Sequence, residues 1–232
     1  MRDYFTFNGV PSTTYSCIIE HRPAYVAPEK VIERFSIRGR SGDLTIDTGA
    51  YKNVTLSYDV FVPHNSVSDF VNWLKSQVGY LRLEDTYEPD IFRKALYEDN
   101  LTVDNILGQF GQATISFDAQ PQRYLKSGES YTRFTTSGGS LINQYEVALP
   151  LIVITGSGNI TFAINNNTVN ITGVSQNITL DAETQNCYKG TTNLNNKVSL
   201  TNNFPVLEKG TNTISWTGSV TRVDIYPRWW KL

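Results

Sequence analysis

Four carboxylates lie close together in the segment LEDTYEPD, residues 83–90, and their spacing is the strongest hint of acid–base chemistry in the chain. A glycosidase needs two carboxyl groups about 5–10 Å apart across a cleft, and calcium needs several oxygens from one ordered loop. Glu84, Asp85, Glu88 and Asp90 instead surround a Thr-Tyr pair and a proline between two apparent strands, which is typical of a hairpin turn. We therefore predict a solvated turn, and cleavage of a polysaccharide by these acids is the least favoured function.

Histidine and cysteine give no second pattern of this kind. The two histidines, His21 and His64, are isolated and have no partner at a zinc-ligand spacing. Cys17 and Cys187 lie far apart in the chain, which favours two buried thiols over a disulfide framework. The sequence also contains no nucleophile elbow, phosphate-binding loop or dinucleotide-binding fingerprint. We therefore expect no enzymatic activity, no cofactor and no metal.

Six Asn-x-Thr triplets match the acceptor pattern for N-glycosylation, and four of them lie within residues 159–180. Residues i and i+2 of a strand share a face, so an outer face built from Asn and Thr produces the same pattern. The N-terminal stretch MRDYFTFNGVPSTTYS lacks the apolar region of a signal peptide, so we expect no glycosylation. Alternation instead predicts strands that point these apolar residues inward: Ile160, Phe162, Ile164, Val169, Ile171, Ile178 and Leu180.

Tryptophan is concentrated near the C-terminus, at Trp216, Trp229 and Trp230. An exposed indole ring can stack on a sugar, so a carbohydrate-binding module that recognises surface polysaccharide is the alternative function. Successive residues of a strand point to opposite faces. We therefore predict that one of Trp229 and Trp230 is buried in a core and that the other contacts sugar or protein.

The elements that would position these residues are mainly strands. Residues 53–62 alternate, which predicts that Val54, Leu56, Tyr58, Val60 and Val62 face a core. Residues 112–118 repeat the pattern with Ala113, Ile115 and Phe117 inward. The first part of the chain is therefore predicted to be a β-sandwich or barrel.

One segment has a helical period, and it predicts an α-helix over about residues 65–79. Its apolar residues recur at helical spacing, with Val78 closing the stripe and Trp73 at the margin. Ser66 and Asp69 form a capping-box pattern at the start, and Gly79 suits the position after the helix. We expect this helix to cover the sheet.

The composition changes near residues 121–134, because most charged side chains precede this stretch while turns of Gly, Asn and Ser dominate after it. We place a short linker at residues 126–131. Regular turn signals predict an all-β sandwich or jelly roll beyond it. The net charge of −2 offers no case for nucleic-acid binding, and no apolar run is long enough for membrane insertion.

Several motifs resemble those of phage distal tail proteins. The stretch FPVLEKGTNTISWTGSVTRVDIYPRWWKL, residues 204–232, has the Phe-Pro, Gly-x-Asn and final Pro-Arg-Trp of that family in the same order. LPLIVITGSGNITFAINNNT resembles its Gly-x-Gly and strand-turn-strand pattern, and ITLDAETQNCYKG resembles its Asp-centred segment. FSIRGRSGDL is similar to its Gly-Arg-x-Gly turn, and LRLEDTYEPDIFRKAL to its acidic turn and strand. The resemblance covers nearly the whole chain.

Distal tail proteins of long, non-contractile phage tails are virion structural proteins that form a hexameric hub ring at the tail tip, within the baseplate. The resemblance implies that residues 1–128 are a ring-forming, tail-tube-like β domain and that residues 132–232 are a galectin-like jelly-roll β-sandwich. It implies a homo-hexamer assembled in the bacterial host cytoplasm. Its partners in host adsorption would be the tail-tube protein, a tail-tip or tail-associated protein and a receptor-binding protein. Phage DNA would pass through the bore without sequence-specific binding, repelled by acidic side chains.

A closed ring needs a heterologous interface, and polar turns at strand ends are our candidates for it. An ordinary exposed turn is the alternative for each. Galectins bind galactose through a His, Asn and Arg set, and residues 132–232 contain no histidine, so we favour a protein contact for that domain. The candidate ring-interface residues are Arg38, Arg40 and Asp43 in one turn and Glu84, Asp85, Glu88 and Asp90 in the other.

Overall fold

A computed structural model of the chain describes residues 2–106 and 110–232. The fold is mainly β, as the alternating patterns predicted, and the described residues contain one α-helix. The chain divides into two compact units, the first ending at Arg123 and the second covering Tyr124–Lys231. Each unit has its own hydrophobic core.

The described part of the first unit contains ten strands and the helix. A 3-10 turn lies at Ser12–Tyr15, and another at His64–Ser66 leads into the helix α1, Val67–Lys75. The strands are β1 Phe5–Phe7, β2 Val10–Pro11, β3 Ile18–Ile19, β4 Lys30–Phe35, β5 Leu44–Tyr51, β6 Val54–Pro63, β7 Leu81–Asp85, β8 Ile91–Leu96, β9 Asp104–Ile106 and β10 Phe110–Ala119.

The main sheet of this unit runs in the order β2-β1-β7-β8-β10-β6-β3, and neighbouring strands in this order are antiparallel. Strand β6 alternates between buried and accessible residues along its length, which confirms the predicted inward set from Val54 to Val62. Aromatic rings fill the core: the ring of Phe5 lies 5.5 Å from those of Tyr58 and Phe117 between centroids. The core therefore forms where the apolar faces of β1, β6 and β10 meet.

Helix α1 is shorter than predicted, and its buried face differs from the predicted one. Phe70, Trp73 and Leu74 are buried, whereas Val78 lies beyond the helix and is 85% exposed. The side chains of Ser76 and Gln77 donate to the carbonyl oxygen of Trp73 at 2.7 and 3.1 Å, which is the oxygen that a longer helix would bond to the Gln77 N–H. These polar side chains thus end the helix before Gly79.

The capping-box prediction for α1 was also wrong. Ser66 occupies the N-cap position, but its side chain makes no capping hydrogen bond. The 3-10 turn leads directly into the helix and takes the place of a side-chain cap. Because the chain is already turning before Val67, fewer backbone N–H groups at the start of the helix need a capping partner. The predicted packing of the helix on the sheet is confirmed by the stacking of the Trp73 ring on the Phe5 ring of β1, with 6.2 Å between their centroids.

The second unit is built from strands alone apart from two 3-10 turns. These turns lie at Lys126–Glu129 and Asn195–Lys197. The strands are β11 Arg123–Leu125, which begins at the boundary of the unit, β12 Thr132–Phe134, β13 Gly139–Asn143, β14 Leu151–Ile164, β15 Asn167–Asp181, β16 Asn186–Lys189, β17 Thr192–Asn193, β18 Val198–Thr201, β19 Gly210–Tyr226 and β20 Trp230–Lys231.

Three long strands form the centre of this unit, with β14 paired to β15 on one side and to β19 on the other. The register of both pairs shifts at mid-strand, between Gly158 and Ile160 on the β15 side and around Gly156 on the β19 side. Bulges bend and twist strands. Along their outer edges, β15 pairs with β18 and then β16, and β19 pairs with β13 and then β12, and apolar residues from both halves of the long strands enter one core.

The Asn-x-Thr stretch lies in β14 and β15, and its alternation is confirmed. The predicted inward residues from Ile160 to Leu180 are all at most 2% exposed. Their polar neighbours interact across the outer face: Thr161 donates to the side-chain oxygen of Asn170 at 2.9 Å, and Asn159 accepts from the Gly173 N–H at 3.0 Å. These asparagines and threonines therefore have a structural role in the sheet.

The segment predicted as a linker contains ordered structure. Gly128 in the turn Lys126–Glu129 is buried, and its carbonyl oxygen accepts from the Arg228 N–H at 2.9 Å. An added Cβ at Gly128 would lie 2.3 Å from the Trp229 nitrogen. This part of the chain is consequently packed against the C-terminal residues of its own unit.

Candidate assembly surfaces

The first predicted interface turn lies at the tip of a hairpin formed by β4 and β5. Arg38, Arg40 and Asp43 are all exposed there. The Arg40 N–H donates to the Ile37 carbonyl at 3.1 Å, and Gly39 and Gly42 both have φ of +82°, a conformation that favours glycine. The structure thus brings these three charged residues together at one end of the hairpin.

The hairpin forms a two-stranded sheet of its own, separate from the main sheet of the unit. Two strands alone are marginally stable in water, because they cannot bury enough apolar surface. Within the described part of the first unit, the hydrophobic core contains no residue of β4 or β5. The hairpin therefore lacks the internal packing that stabilises every other long strand of the unit.

Its two faces differ in polarity. Residues directly opposite in an antiparallel pair share a face, and Phe35 pairs with Leu44 while Glu33 pairs with Ile46. Phe35, Leu44 and Ile46 thus lie on one face and are 48%, 39% and 47% exposed. We call this set with Glu33 the apolar hairpin face. The sequence alone does not reveal this face, because strand alternation says which residues share a face and not whether anything covers that face.

The opposite face is mostly polar and carries the ion pair between Lys30 and Asp47, with 2.9 Å between the ammonium nitrogen and the carboxylate. This contact raises the pKa of Lys30, and the same hydrogen bond together with the Gly49 N–H lowers the pKa of Asp47. Both side chains are about half exposed to water, so the pair orients the hairpin base more than it stabilises it.

The second predicted turn connects β7 to β8, and three of its four acids have partners within the first unit. Asp85 accepts from the Tyr87 and Glu88 N–H groups, each at 2.9 Å, and from the Tyr58 hydroxyl at 2.9 Å. Glu88 pairs with Arg123, and Glu84 pairs with Arg82. Asp90 is exposed. The turn is thus only partly solvated, and Asp85 holds its shape.

Trp229 and Trp230 do not divide into one buried and one exposed residue. Both are half-buried and pack against the core of the second unit. Arg228 has a φ of +55° and lies between β19 and β20, outside both strands, so the simple alternation of a continuous strand does not apply. The Trp230 indole N–H donates to the Val147 carbonyl at 2.9 Å, which fixes that ring in place.

Two motifs that resemble distal tail proteins meet in the second unit through an ion pair. Arg228 of the Pro-Arg-Trp motif donates to both carboxylate oxygens of Asp181 in the Asp-centred segment, at 2.6 and 3.2 Å. Burial alone would raise the pKa of Asp181, but its bonds with Arg228 and with backbone N–H groups lower it below the usual value. The two motifs together therefore fix the end of β15 to the segment that follows β19.

The Gly-x-Asn motif places Asn212 in the interior, where it is fully buried. Its amide donates to the carbonyl oxygens of Glu208 and Gly210 at 2.8 and 3.2 Å, and its oxygen accepts from the Glu208 N–H at 2.8 Å. Asn212 thus satisfies the backbone of the turn before β19.

Neither a metal site nor a membrane span is found in the parts of the chain that the structure describes. Residues 2–106 and 110–232 contain no group of three or more His, Cys, Asp or Glu side chains arranged to hold a metal ion. In the same ranges, no helix combines the length and apolar character needed to span a bilayer.

Comparison with known proteins gives a match in structure and none in sequence. No protein-family model matches the chain, and no curated protein matches it. The fold matches the crystal structure of SPP1 Dit (gp 19.1), a paradigm of the hub adsorption apparatus in phages that infect Gram-positive bacteria. The TM-score is 0.75 at 16% sequence identity, over 97% of this chain and 98% of that one. The resemblance seen in the sequence is thereby confirmed at the level of the fold: both units of this chain together have the fold of a phage distal tail hub protein.

Proposed function

We propose that this protein is a distal tail protein, a structural component of the virion that forms a hexameric hub ring at the tip of a long, non-contractile phage tail. The observation that carries the proposal is the match to SPP1 Dit over nearly the full length of both chains. A match confined to one unit would indicate a shared module, whereas this match includes both units in the same order.

The apolar hairpin face supports a ring built from copies of this chain. An uncovered face with three large apolar side chains on a two-stranded sheet is unfavourable in water and is stabilised when a partner covers it. We infer that the occupant is the neighbouring copy, since a ring interface joins two different surfaces of identical subunits. Arg38, Arg40 and Asp43 at the hairpin tip would then form the polar rim of that interface.

The two units have different roles in this proposal. Residues 1–128 form the tail-tube-like ring domain, and residues 132–232 form a galectin-like domain that projects outward and binds a receptor-binding protein. The tail-tube protein and a tail-tip protein bind the two sides of the ring, and DNA passes through its bore without sequence-specific contacts. Assembly takes place in the host cytoplasm, and the protein has no catalytic role.

Recognition of host polysaccharide by the second unit has less support. Trp229 and Trp230 are half-buried against the core, and Trp230 is fixed by its bond to Val147. A stacking site for sugar needs an exposed ring face. Glycan arrays probed with the full chain would support this alternative only if Trp229→Ala or Trp230→Ala abolished binding without unfolding the unit.

The test is the mass of the purified chain by light scattering over a hundredfold range of concentration, with electron microscopy of the eluted peak. We expect six-subunit rings with a central hole. Because closure of the ring can require the tail tube, the same sample is also mixed with purified tail-tube protein. A chain that stays monomeric alone and with tubes contradicts the proposal.

A further inference from the structure

The two ends of the main sheet in the first unit differ in how they are closed to further strands. At one end β2 has two residues, and its last residue, Pro11, has no N–H to offer another strand. At the other end β3 also has two residues, and it pairs only with Val60 and Phe61 of β6. Because β6 begins at Val54, most of its outer edge extends beyond β3. An edge of this length can bind another strand through its backbone.

The backbone groups of Thr55 and Ser57 point to this outer edge. Strand β6 pairs with β10 along its whole length without a bulge, so every second residue points its backbone groups to the same edge. The Asp59 carbonyl accepts from the Glu20 N–H at 2.8 Å, on the side of β3. Thr55 and Ser57 therefore point their N–H and C=O groups to that side, where no strand of residues 2–106 and 110–232 pairs with them. We call residues 55–57 the free β6 edge.

The β4–β5 hairpin offers the complementary edge. Its two strands pair with each other and with no other strand of the described chain, so the outer edges of both are unpaired. Strand β5 has eight residues, enough to cover the free β6 edge. We propose that the hairpin of one copy pairs along the free β6 edge of the neighbouring copy and extends its main sheet. This inference rests on the ring proposed above and names the second surface of its interface.

The apolar faces of the two surfaces match. On the core side of the free β6 edge, Leu56 lines a cavity of about 130 Å³ together with Tyr25 and Val26. The Tyr25 side chain is 64% exposed, so this margin of the core is open and partly apolar. In the extended sheet, the apolar hairpin face turns to the same side and covers this margin. Apolar surface of both copies is then removed from water.

The charges of the two outer faces are also complementary. Asp59 and Asp118 lie on the same face as Thr55, and neither pairs with a lysine or arginine of the described residues. Arg34 is exposed on the polar face of the hairpin, and it too has no ion pair within the described ranges. The pairing places Arg34 on the same side as the two carboxylates. The reversed orientation would place the apolar hairpin face beside them, so the polarity of the faces selects one orientation.

Substitutions at Thr55 test the pairing through the backbone. Thr55→Pro removes the outward N–H but leaves the bonds to β10, which the backbone groups of Val54 and Leu56 make. We expect this variant to fold and to form no rings. Thr55→Ala is the matched control, because it keeps the N–H, and it should form rings like the wild-type chain. Light scattering measures the mass, and calorimetry shows whether the first unit is folded.

Amide exchange of the wild-type chain provides a second measurement that needs no variant. The amides of Thr55 and Ser57 should exchange at least about tenfold more slowly in rings than in a diluted, monomeric sample, because the pairing covers them. This result decides the question if Thr55→Pro does not fold.

The outcomes distinguish this inference from the ring proposal. Rings formed by Thr55→Pro, or equal exchange of the two amides in rings and monomers, overturn the pairing and leave the ring proposal intact. Loss of rings in both Thr55→Pro and Thr55→Ala assigns the effect to the side chain and also overturns backbone pairing. A wild-type chain that forms no rings, alone or with tail tubes, contradicts both proposals.

Discussion

Buried polar side chains in the second unit have partners that explain their positions. Asp181 and Arg228 bind each other through two hydrogen bonds, and Asn212 satisfies the turn before β19. Residues in motifs that resemble those of distal tail proteins therefore stabilise the fold of this unit.

The two cysteines are buried in different cores, Cys17 in the first unit and Cys187 in the second.

We predict that neither thiol reacts in the native protein. Burial raises the pKa of Cys17 to about 12, partly opposed by Ser12, and burial raises that of Cys187 to about 11. Almost no thiolate exists at pH 8, and thiolate is the reactive form. Mass spectrometry after maleimide treatment should find no label without denaturant and two labels in urea. Rapid native labelling of either cysteine would contradict the buried assignment.

Replacing Asp181 with Asn should destabilise the second unit by about 2–3 kcal/mol at neutral pH, because Arg228 loses its charged partner. The cost is below that of a fully buried pair, since the Arg228 side chain is 25% exposed. Glu183→Gln is the control: its contact with Arg228 is longer, at 3.3 Å, and should be worth less than about 1 kcal/mol. Hydrogen exchange in β14 and β15 measures the change for this unit alone.

The same pair makes the second unit sensitive to acid. The pKa of Asp181 is lower in the folded chain than its usual 3.8. The contribution of its ionised form to the free energy of unfolding is therefore complete above pH 3.8 and is lost as the pH falls below that value. Asp181→Asn should therefore reduce the loss of stability below about pH 4. If the variant loses stability at low pH as much as the wild-type chain does, other carboxylates cause that loss.

At the scale of elements, the bends of β14 and β19 depend on glycines for two separate reasons. Gly158 and Gly218 both have positive φ, at +77° and +97°. An added Cβ at Gly158 meets nothing within 4 Å, whereas at Gly218 it would lie 2.4 Å from the Asn159 oxygen. Gly158 is thus required by its backbone conformation alone. Gly218 is required by its backbone conformation and also by the close approach of the neighbouring strand.

We therefore predict unequal costs for two matched substitutions. Gly158→Ala should cost about 1 kcal/mol from backbone strain, while Gly218→Ala should cost about 2–4 kcal/mol because overpacking adds to the strain. Hydrogen exchange across the β14–β19 pair provides the measurement. Similar costs for both variants would mean that the strands separate easily at the bulge.

The apolar hairpin face leads to a prediction about assembly. Phe35→Ser with Ile46→Ser should abolish ring formation and leave monomer stability nearly unchanged, since neither residue belongs to the core. Ile32→Ser is the control, because Ile32 is also exposed but lies on the opposite face of the hairpin. Light scattering measures the mass of each variant. Intact rings from the double variant would show that the hairpin is not the interface.

Sequence patterns predicted the individual elements better than their surroundings. The alternation in β6 gave its buried face correctly, because a buried sheet face leaves a period of two in the sequence. The end of α1 was missed, because it depends on side chains of Ser76 and Gln77 that bond to Trp73. The exposed β4–β5 hairpin was missed for a different reason: its apolar residues look like those of any core strand.

For the whole molecule, assembly should be visible in stability as well as in mass. Ligand or subunit binding to the folded state raises the unfolding temperature as concentration rises. If copies cover the hairpin, the melting temperature of the first unit increases with protein concentration, and amide exchange in β4 and β5 slows. Calorimetry and exchange at two concentrations test both effects. A concentration-independent melting temperature in a sample that contains rings would contradict stabilisation by the interface.

The position of β19 in the second unit has a consequence for synthesis of the chain. Strands β12, β13 and β14 all pair with β19, which the ribosome makes after them. Until β19 emerges, β12 and β13 lack their hydrogen-bonding partner and one edge of β14 stays unpaired. Contacts between distant parts of a chain slow folding. The nascent unit thus has unpaired strand edges until β19 is synthesised. Pausing of translation before β19 should therefore increase its aggregation.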